Sequence, residues 1–234
     1  MKRKNSNETF FDKIDSEIKA YLLGFFIADG CIALNYNCNN SYNLSIGLQY
    51  DDKQIVEWFQ QFICPSNKII ITRYQKGAKN RKSVCRIKWT STHMKNILQN
   101  YNIHPNKTFN FDFTFPFEKI PKQFIWDFIR GFFDGDGQIS YNDETHFSTF
   151  AFYSTSKYFL EQIGNLFEKT FNVQKRIEGT IKTNIMLYCL RFSANFKKKE
   201  FFKQMYEKMY VGKTYYLERK RQKIYKVFNV KIPC

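Results

Sequence analysis

The chain has 234 residues, of which 43% are hydrophobic and 19% aromatic, and a formal net charge of +16. That length and apolar content allow a substantial core and exclude general disorder, while the charge favours a polyanionic partner, nucleic acid ahead of an anionic membrane surface. Six cysteines without a C-x2-C pair and only three histidines argue against a zinc site and a disulfide framework and for a reduced intracellular compartment, and neither a signal peptide nor a membrane span of ~18 apolar residues is expected.

Taken in order, Asp15-Ser16-Glu17 predicts a helix start, with a capping side chain and an acid suited to the positive amino end. The apolar run through Ile27 predicts a helix buried on most sides and stopped at Gly30. Residues 31–37 and 44–50 predict a hairpin. Its second strand alternates Leu44, Ile46 and Leu48 with Ser45, Gly47 and Gln49, so one face is apolar and the other solvated. Asp51-Asp52 are placed to cap the next helix, which carries Ile55, Trp58, Phe59 and Phe62 on one side and ends at Pro65. A second hairpin joins 69–74 to 84–89 across a tip, 75–82, with four basic residues suited to phosphate contact. Residues 91–101 read as helix, and 109–117 as an aromatic linker that also packs.

From Pro121 the order repeats: a helix over 121–136, a hairpin of 138–142 with 147–153 and a helix over 156–171. Strands near 173–178 and 186–193, a helix near 197–209 and a basic closing helix from Tyr215 to Lys223 complete the chain. One stretch explains the repetition. Leu22-Leu23-Gly24-Phe25-Phe26-Ile27-Ala28-Asp29-Gly30 returns as Ile129-Arg130-Gly131-Phe132-Phe133-Asp134-Gly135-Asp136-Gly137, at an offset of 107 residues. A lysine-threonine pair follows each copy: 78 residues separate Asp29 from Lys107, and 77 separate Asp136 from Lys213. Two matched pairs at nearly one spacing point to an internal duplication.

These two stretches resemble the LAGLIDADG motif, the signature of a family of homing endonucleases. Ile27 departs from the acid usual at the sixth position and Asp134 keeps it; the eighth-position acids, Asp29 and Asp136, matter for the family's metal chemistry, and both are present. The resemblance implies an α+β fold of two pseudo-symmetric α-β-β-α-β-β-α halves, residues 1–117 and 118–234. Each half would carry a four-stranded antiparallel DNA-binding sheet, and the two would join at the packed motif helices. Two motifs in one chain imply a monomer, where single-motif relatives dimerise. The resemblance also implies the carbonyls of Ala28 and Gly135 as metal ligands beside Asp29 and Asp136, with Lys107 and Lys213 near the scissile phosphates.

Elementary chemistry supports a metal at the acids. Gly24 and Gly131 let two helices pack closely. Asp29 and Asp136 then stand together at helix carboxyl ends, where the macrodipole is already negative and the carboxylates repel. A divalent cation relieves both problems, and hard oxygen ligands favour Mg²⁺. Gln49 and its counterpart Tyr153 are placed to order water or to touch DNA. With one acid per strand, the expected reaction is metal-dependent hydrolysis of both strands at a specific site, leaving short 3′ overhangs.

Strand alternation selects the side chains for the major groove of double-stranded DNA. They are Asn35, Asn37, Asn43, Ser45, Gln49, Arg86 and Lys88 in the first half, and Gln138, Ser140, Asn142, Tyr153, Arg191 and Ser193 in the second. Less regular strands add Arg73, Gln75, Lys175 and Arg176. Unlike side chains at matched positions predict a long, asymmetric target. The alternative is an intron-RNA-binding maturase that assists splicing, which gives no evident reason to keep both acids. An intracellular setting is expected, whether an organelle (mitochondrion or plastid) or a bacterial or phage cytoplasm.

Overall fold

The computed structural model describes residues 6–35, 41–73, 82–142, 144, 147–194 and 199–228. The first half runs α1 (Glu17–Asp29), β1 (Gly30–Leu34), β2 (Tyr42–Gln49), α2 (Lys53–Ile63), β3 (Ile70–Thr72), β4 (Val84–Thr90) and α3 (Thr92–Asn100). The second repeats it as α4 (Ile125–Asp136), β5 (Gly137–Asn142), β6 (Phe147–Ser154), α5 (Lys157–Phe171), β7 (Arg176–Lys182), β8 (Ile185–Ala194) and α6 (Lys199–Tyr210), and α7 (Glu218–Phe228) closes the chain. Both sheets are four-stranded and antiparallel, with orders β1-β2-β4-β3 and β5-β6-β8-β7. The same order twice is what duplication of one α-β-β-α-β-β-α unit requires.

The two motif helices form the centre. α1 is apolar on every side, and Ala20 through Ile27 are all buried. A helix of that kind has to be surrounded, and α4 covers one side. Gly24 lies against Phe128 and Phe132, and Gly131 against Tyr21 and Phe25, so each contact is repeated across a pseudo-twofold axis. A methyl group at residue 24 would stand 2.1 Å from the carbonyl oxygen of Phe128, and one at residue 131 would stand 2.0 Å from that of Tyr21. Backbone cannot yield as a side-chain tip can. Gly24→Ala is therefore expected to cost about 3 kcal/mol and to lower Tm by about 8 °C. Thermal unfolding followed by circular dichroism checks this; a shift under about 2 °C would show that the helices do not approach so closely.

Alternation along the strands divides each sheet into two faces. Leu44, Ile46 and Leu48 of β2 and Cys85, Ile87 and Trp89 of β4 are buried against the helices, as are Phe150 and Phe152 of β6 and Leu190 and Phe192 of β8. Aromatic rings fill the second half: Phe133 stacks on Phe150 with centroids 4.0 Å apart, and Phe167 on Phe192 at 4.7 Å. The linker contributes as well. Phe115 is buried and stacks on Phe128 at 4.3 Å and on Tyr101 at 5.9 Å.

Three local expectations need correction. Ser16 stands at the N-cap of α1 but its side chain makes no capping bond, and Asp15 pairs with Lys19 at 3.0 Å instead. Asp52 does not cap α2 with its side chain; a 3₁₀ turn over Tyr50–Asp52 leads into that helix, and Asp52 binds Arg219 of α7 instead. The seventh strand lies at Arg176–Lys182 rather than near 173–178. Asn172 ends α5 in the left-handed region, and a short connection precedes the strand. β7 and β8 are joined through Thr183 and Asn184, both at positive φ, the geometry of a two-residue hairpin turn.

Candidate active site

α1 and α4 end side by side. Gly30 donates its N–H to Phe26 O and Gly137 to Phe133 O, closing the two helices alike. Asp29 and Asp136 are the last residues of their helices, and both are half-buried. The acid of α1 leans over the other helix: a methyl group at Gly135 would lie 3.0 Å from Asp29 Oδ2 and 2.2 Å from Ala28 Cβ. Only glycine leaves that cradle open.

Each acid also shares a cavity with the other half's motif backbone. Asp136 lines one of about 260 Å³ with Ala28, Lys107 and Tyr153. Asp29 lines one of about 460 Å³ with Gln49, Gly135 and Arg219. Burial raises the pKa of Asp29, with Lys107 and Lys220 opposing. Burial, reinforced by the Asp29 charge, pushes Asp136 up to about 6.

Two lysines close the helix ends from opposite sides. Lys107 stands in a 3₁₀ turn and donates to the carbonyls of Ile27 and Ala28. Lys220 of α7 is buried, and its ammonium donates to Phe133 O at 2.6 Å, Gly137 O at 2.8 Å and Gly135 O at 3.2 Å. A cation at a helix carboxyl end offsets the macrodipole; here it also offsets the acids. Burial lowers the pKa of Lys107, with Asp136 and Asp29 opposing. Burial likewise lowers Lys220, to about 8, against the pull of Asp134, Asp136 and Asp29.

Lys213 is not at this centre. Its ammonium pairs with Asp127 at 2.8 Å, near the opposite end of α4. The chain after α6 is held there because Thr214 and Tyr215 donate their N–H groups to Glu17 at 2.9 and 3.0 Å. Spacing along the sequence matched Lys107, but the loop takes another path, and Lys220 fills the corresponding place.

Residues 123–206 match the family of LAGLIDADG-like domains. Solved structures extend the likeness over both halves. A structure of the homing endonuclease I-GzeII in complex with its DNA target is 13% identical, with a TM-score of 0.55, covering 90% of this chain and 89% of that one. For I-LtrWI bound to target DNA the figures are 11%, 0.52, 91% and 90%; for I-WcaI bound to its recognition sequence they are 16%, 0.51, 82% and 81%. The chain has the two-motif LAGLIDADG fold. No curated protein matches its sequence significantly.

Within the LAGLIDADG helices the sixth position is structural on one side only. Asp134 is buried and accepts from Tyr21 Oη and Tyr210 Oη, each at 2.9 Å, and from the Leu217 N–H at 2.7 Å. Burial raises its pKa, with Lys220 and these bonds opposing. Asp134 thereby ties α1, α4 and α6 to the start of α7. Ile27, its counterpart, is simply buried. At the other helix ends Arg130 is fully buried and bonds Glu17, Asp127, Met209 O and Tyr215 O. Neither Arg130 nor Lys220 was singled out by the sequence. The available signal was a basic residue inside an apolar motif and a lysine two places past Glu218.

The open faces of the LAGLIDADG sheets carry most of the selected side chains. Gln49, Arg86 and Lys88 are exposed on the first, with Asn43 and Ser45 half-buried and Asn43 accepting from Thr90 at 2.9 Å. Asn35 and Arg73 stand just past the ends of β1 and β3. On the second sheet Gln138 and Ser140 are exposed, and Tyr153 donates to Gln138 at 2.7 Å. Arg176 and Arg191 are cross-strand partners that share Glu178, at 2.7 and 3.7 Å. Lys175 does not belong to this face. It turns back onto α5, against Gly164, and binds Asn165 and, at 3.0 Å, Glu168. Asn37 and Gln75 lie outside the described residues, as do the side chains of Asn142 and Ser193.

Hard oxygen donors are available for a divalent cation. Among the described residues no cluster of three or more His, Cys, Asp or Glu side chains forms a cage. The set is instead two carboxylates, Asp29 and Asp136, and the carbonyls of Ala28 and Gly135, each of which already accepts a lysine bond. Carboxylate, carbonyl and water ligands suit Mg²⁺, and the glycine cradle leaves room for the Asp29 carboxylate.

Proposed function

We propose that this protein is a site-specific DNA endonuclease of the homing type, acting as a monomer. One observation carries the reading. The packed motif helices bring Asp29 and Asp136 together, and each acid shares its cavity with a residue that reaches it from a sheet strand, Gln49 for Asp29 and Tyr153 for Asp136. A duplex lying along both sheets would present its two backbones to two acids. The DNA-bound relatives of the same fold support that placement, as does the net charge of +16.

Asp29, Asp136, Ala28 O and Gly135 O would hold Mg²⁺, which when bound supplies charge neutralisation at the phosphate and an activated water. The remaining work falls to the chain. Lys107 and Lys220 hold the helix ends in register and lower the cost of two adjacent carboxylates. Gln49 and Tyr153 orient water or phosphate at their respective acids. Water oxygen bonds to phosphorus as the P–O3′ bond breaks; the water loses a proton and the departing 3′ oxygen gains one. The products are a 3′ hydroxyl and a 5′ phosphate on each strand, with short 3′ overhangs.

Sequence is read on the sheets, and the two faces differ. Arg86 and Lys88 of the first stand where the second has, in that order, a half-buried Cys189 and Arg191. Selection of cleaved sites from a randomised duplex library with Mg²⁺ is therefore expected to return a long asymmetric target, and recovery of a palindrome would exclude this mode of recognition. No cleavage of any site, together with tight binding to an intron RNA, would favour a maturase.

A further inference from the structure

The Asp29 and Asp136 cavities differ in the cation they offer. In the Asp136 cavity Lys107 spends two ammonium donors on Ile27 and Ala28. An ammonium has three, so one remains for a phosphate oxygen. The residue matched to it by sequence, Lys213, is engaged with Asp127. Lys220 spends all three donors on carbonyls and is 7% exposed, which leaves it nothing for a substrate.

Arg219 is differently placed. It lines the Asp29 cavity together with Gln49 and Gly135. Its Nε and Nη2 bind the two carboxylate oxygens of Asp52 at 2.7 and 2.8 Å. A guanidinium carries five donors, so this fork leaves three. The Arg219 side chain is 57% exposed, whereas that of Asp52 is 11% exposed, so a buried carboxylate aims an exposed cation. Lys82 also borders the cavity but is 64% exposed and paired with Asp51.

We infer that Arg219 is the catalytic cation of the Asp29 centre, the counterpart of Lys107 at the Asp136 centre, and that Asp52 is its positioning residue. The inference rests on the nuclease reading. Arg219 donates to the non-bridging oxygens of the phosphate as charge builds on them, while water adds to phosphorus and the 3′ oxygen leaves. Because Asp52 belongs to the first half and Arg219 to the closing helix, this centre is complete only when the two halves are docked.

Strand-resolved cleavage tests it, using the full chain and a duplex taken from the library selection, each strand labelled at one end. Arg219→Met is expected to slow one cut about 10²-fold and leave the other within about threefold. Lys107→Met should slow the opposite cut. Asp52→Asn should slow the same cut as Arg219→Met, about tenfold, and Arg219→Lys, which keeps a cation and guards against an unfolded variant, should recover part of the loss. Equal slowing of both strands, slowing of the strand governed by Lys107, or a larger effect from Lys82→Met would overturn the assignment while the nuclease reading stands. A wild-type chain that cuts no member of the library would overturn the nuclease reading and the assignment with it.

Discussion

Asp136→Asn should abolish cleavage and stabilise the protein. The amide keeps the size of the side chain and removes the charge that would hold the cation, so the rate on a selected duplex should fall on the order of 10³-fold, the upper end of what one preorganised electrostatic group supplies. Asp29→Asn should do the same. The gain in stability follows from linkage. The Asp136 pKa of about 6 in the folded chain lies above its ordinary 3.8. A raised carboxyl contributes stability that is fully present below the unfolded pKa and is lost as pH rises through the folded one. Above pH 6 the wild type therefore carries a desolvated carboxylate, made less favourable still by the Asp29 charge, that Asn removes. Without added metal, Asp136→Asn should gain about 2 kcal/mol at pH 8 and about 5 °C in Tm, the difference shrinking towards zero near pH 4. Added Mg²⁺ should raise the Tm of the wild type more than that of the variant, since a ligand stabilises only the state that binds it. Loss of cleavage with no gain in Tm at pH 8 would mean that neither burial nor the Asp29 charge raises the Asp136 carboxyl in the folded chain.

The repeat of glycine, aromatics and acid made much of this legible in the sequence. Gly24 and Gly131 are places where only a hydrogen fits between two backbones, and such sites mark themselves. Alternation in β2 and β4 fixed the open face there, because one side of each strand is uniformly apolar. Where the pattern weakened, the reading failed. Val173 to Lys175 looked like the start of a strand, yet Asn172 takes a left-handed cap and Lys175 folds back onto α5; the Thr183-Asn184 turn was the better signal for the register of β7. Lys213 failed for another reason. Its distance along the chain from Asp136 matched that of Lys107 from Asp29, but a loop's path depends on what holds it, and Glu17 in the other half holds this one. Lys220 and Arg219 looked like solvated charges of a basic helix. What distinguishes them is contact with residues remote in sequence, carbonyls at the end of α4 and a carboxylate at the start of α2.

Arg130→Leu should be among the most destabilising single changes in the chain. The position itself accepts leucine, since Leu23 occupies it in α1 and is fully buried. The cost lies in what the guanidinium leaves behind. Its bonds to Glu17 at 2.9 Å, Asp127 at 2.8 Å, Met209 O at 2.7 Å and Tyr215 O at 2.8 Å join α1, α4, α6 and the loop before α7. Asp127 is 1% exposed, and among the described residues its Oδ2 has no hydrogen-bond partner even in the intact network; without Arg130 the cation left beside it among those residues is Lys213. Breaking one side of a buried ion network costs about 3–5 kcal/mol, or roughly 10 °C in Tm for a chain of this size. Arg130→Lys should recover little, because an ammonium cannot span acceptors arranged for a planar fork. Combining Arg130→Leu with Asp127→Asn should recover more than half of the loss, since it removes the stranded charge rather than restoring a contact. If the double variant were as unstable as the single one, the cost would lie in helix packing around residue 130 and not in the ion network. Cleavage by the double variant then reports on the acids alone: they sit at the far ends of the same two helices, and if those helices still dock, the strand preference should match that of the wild type.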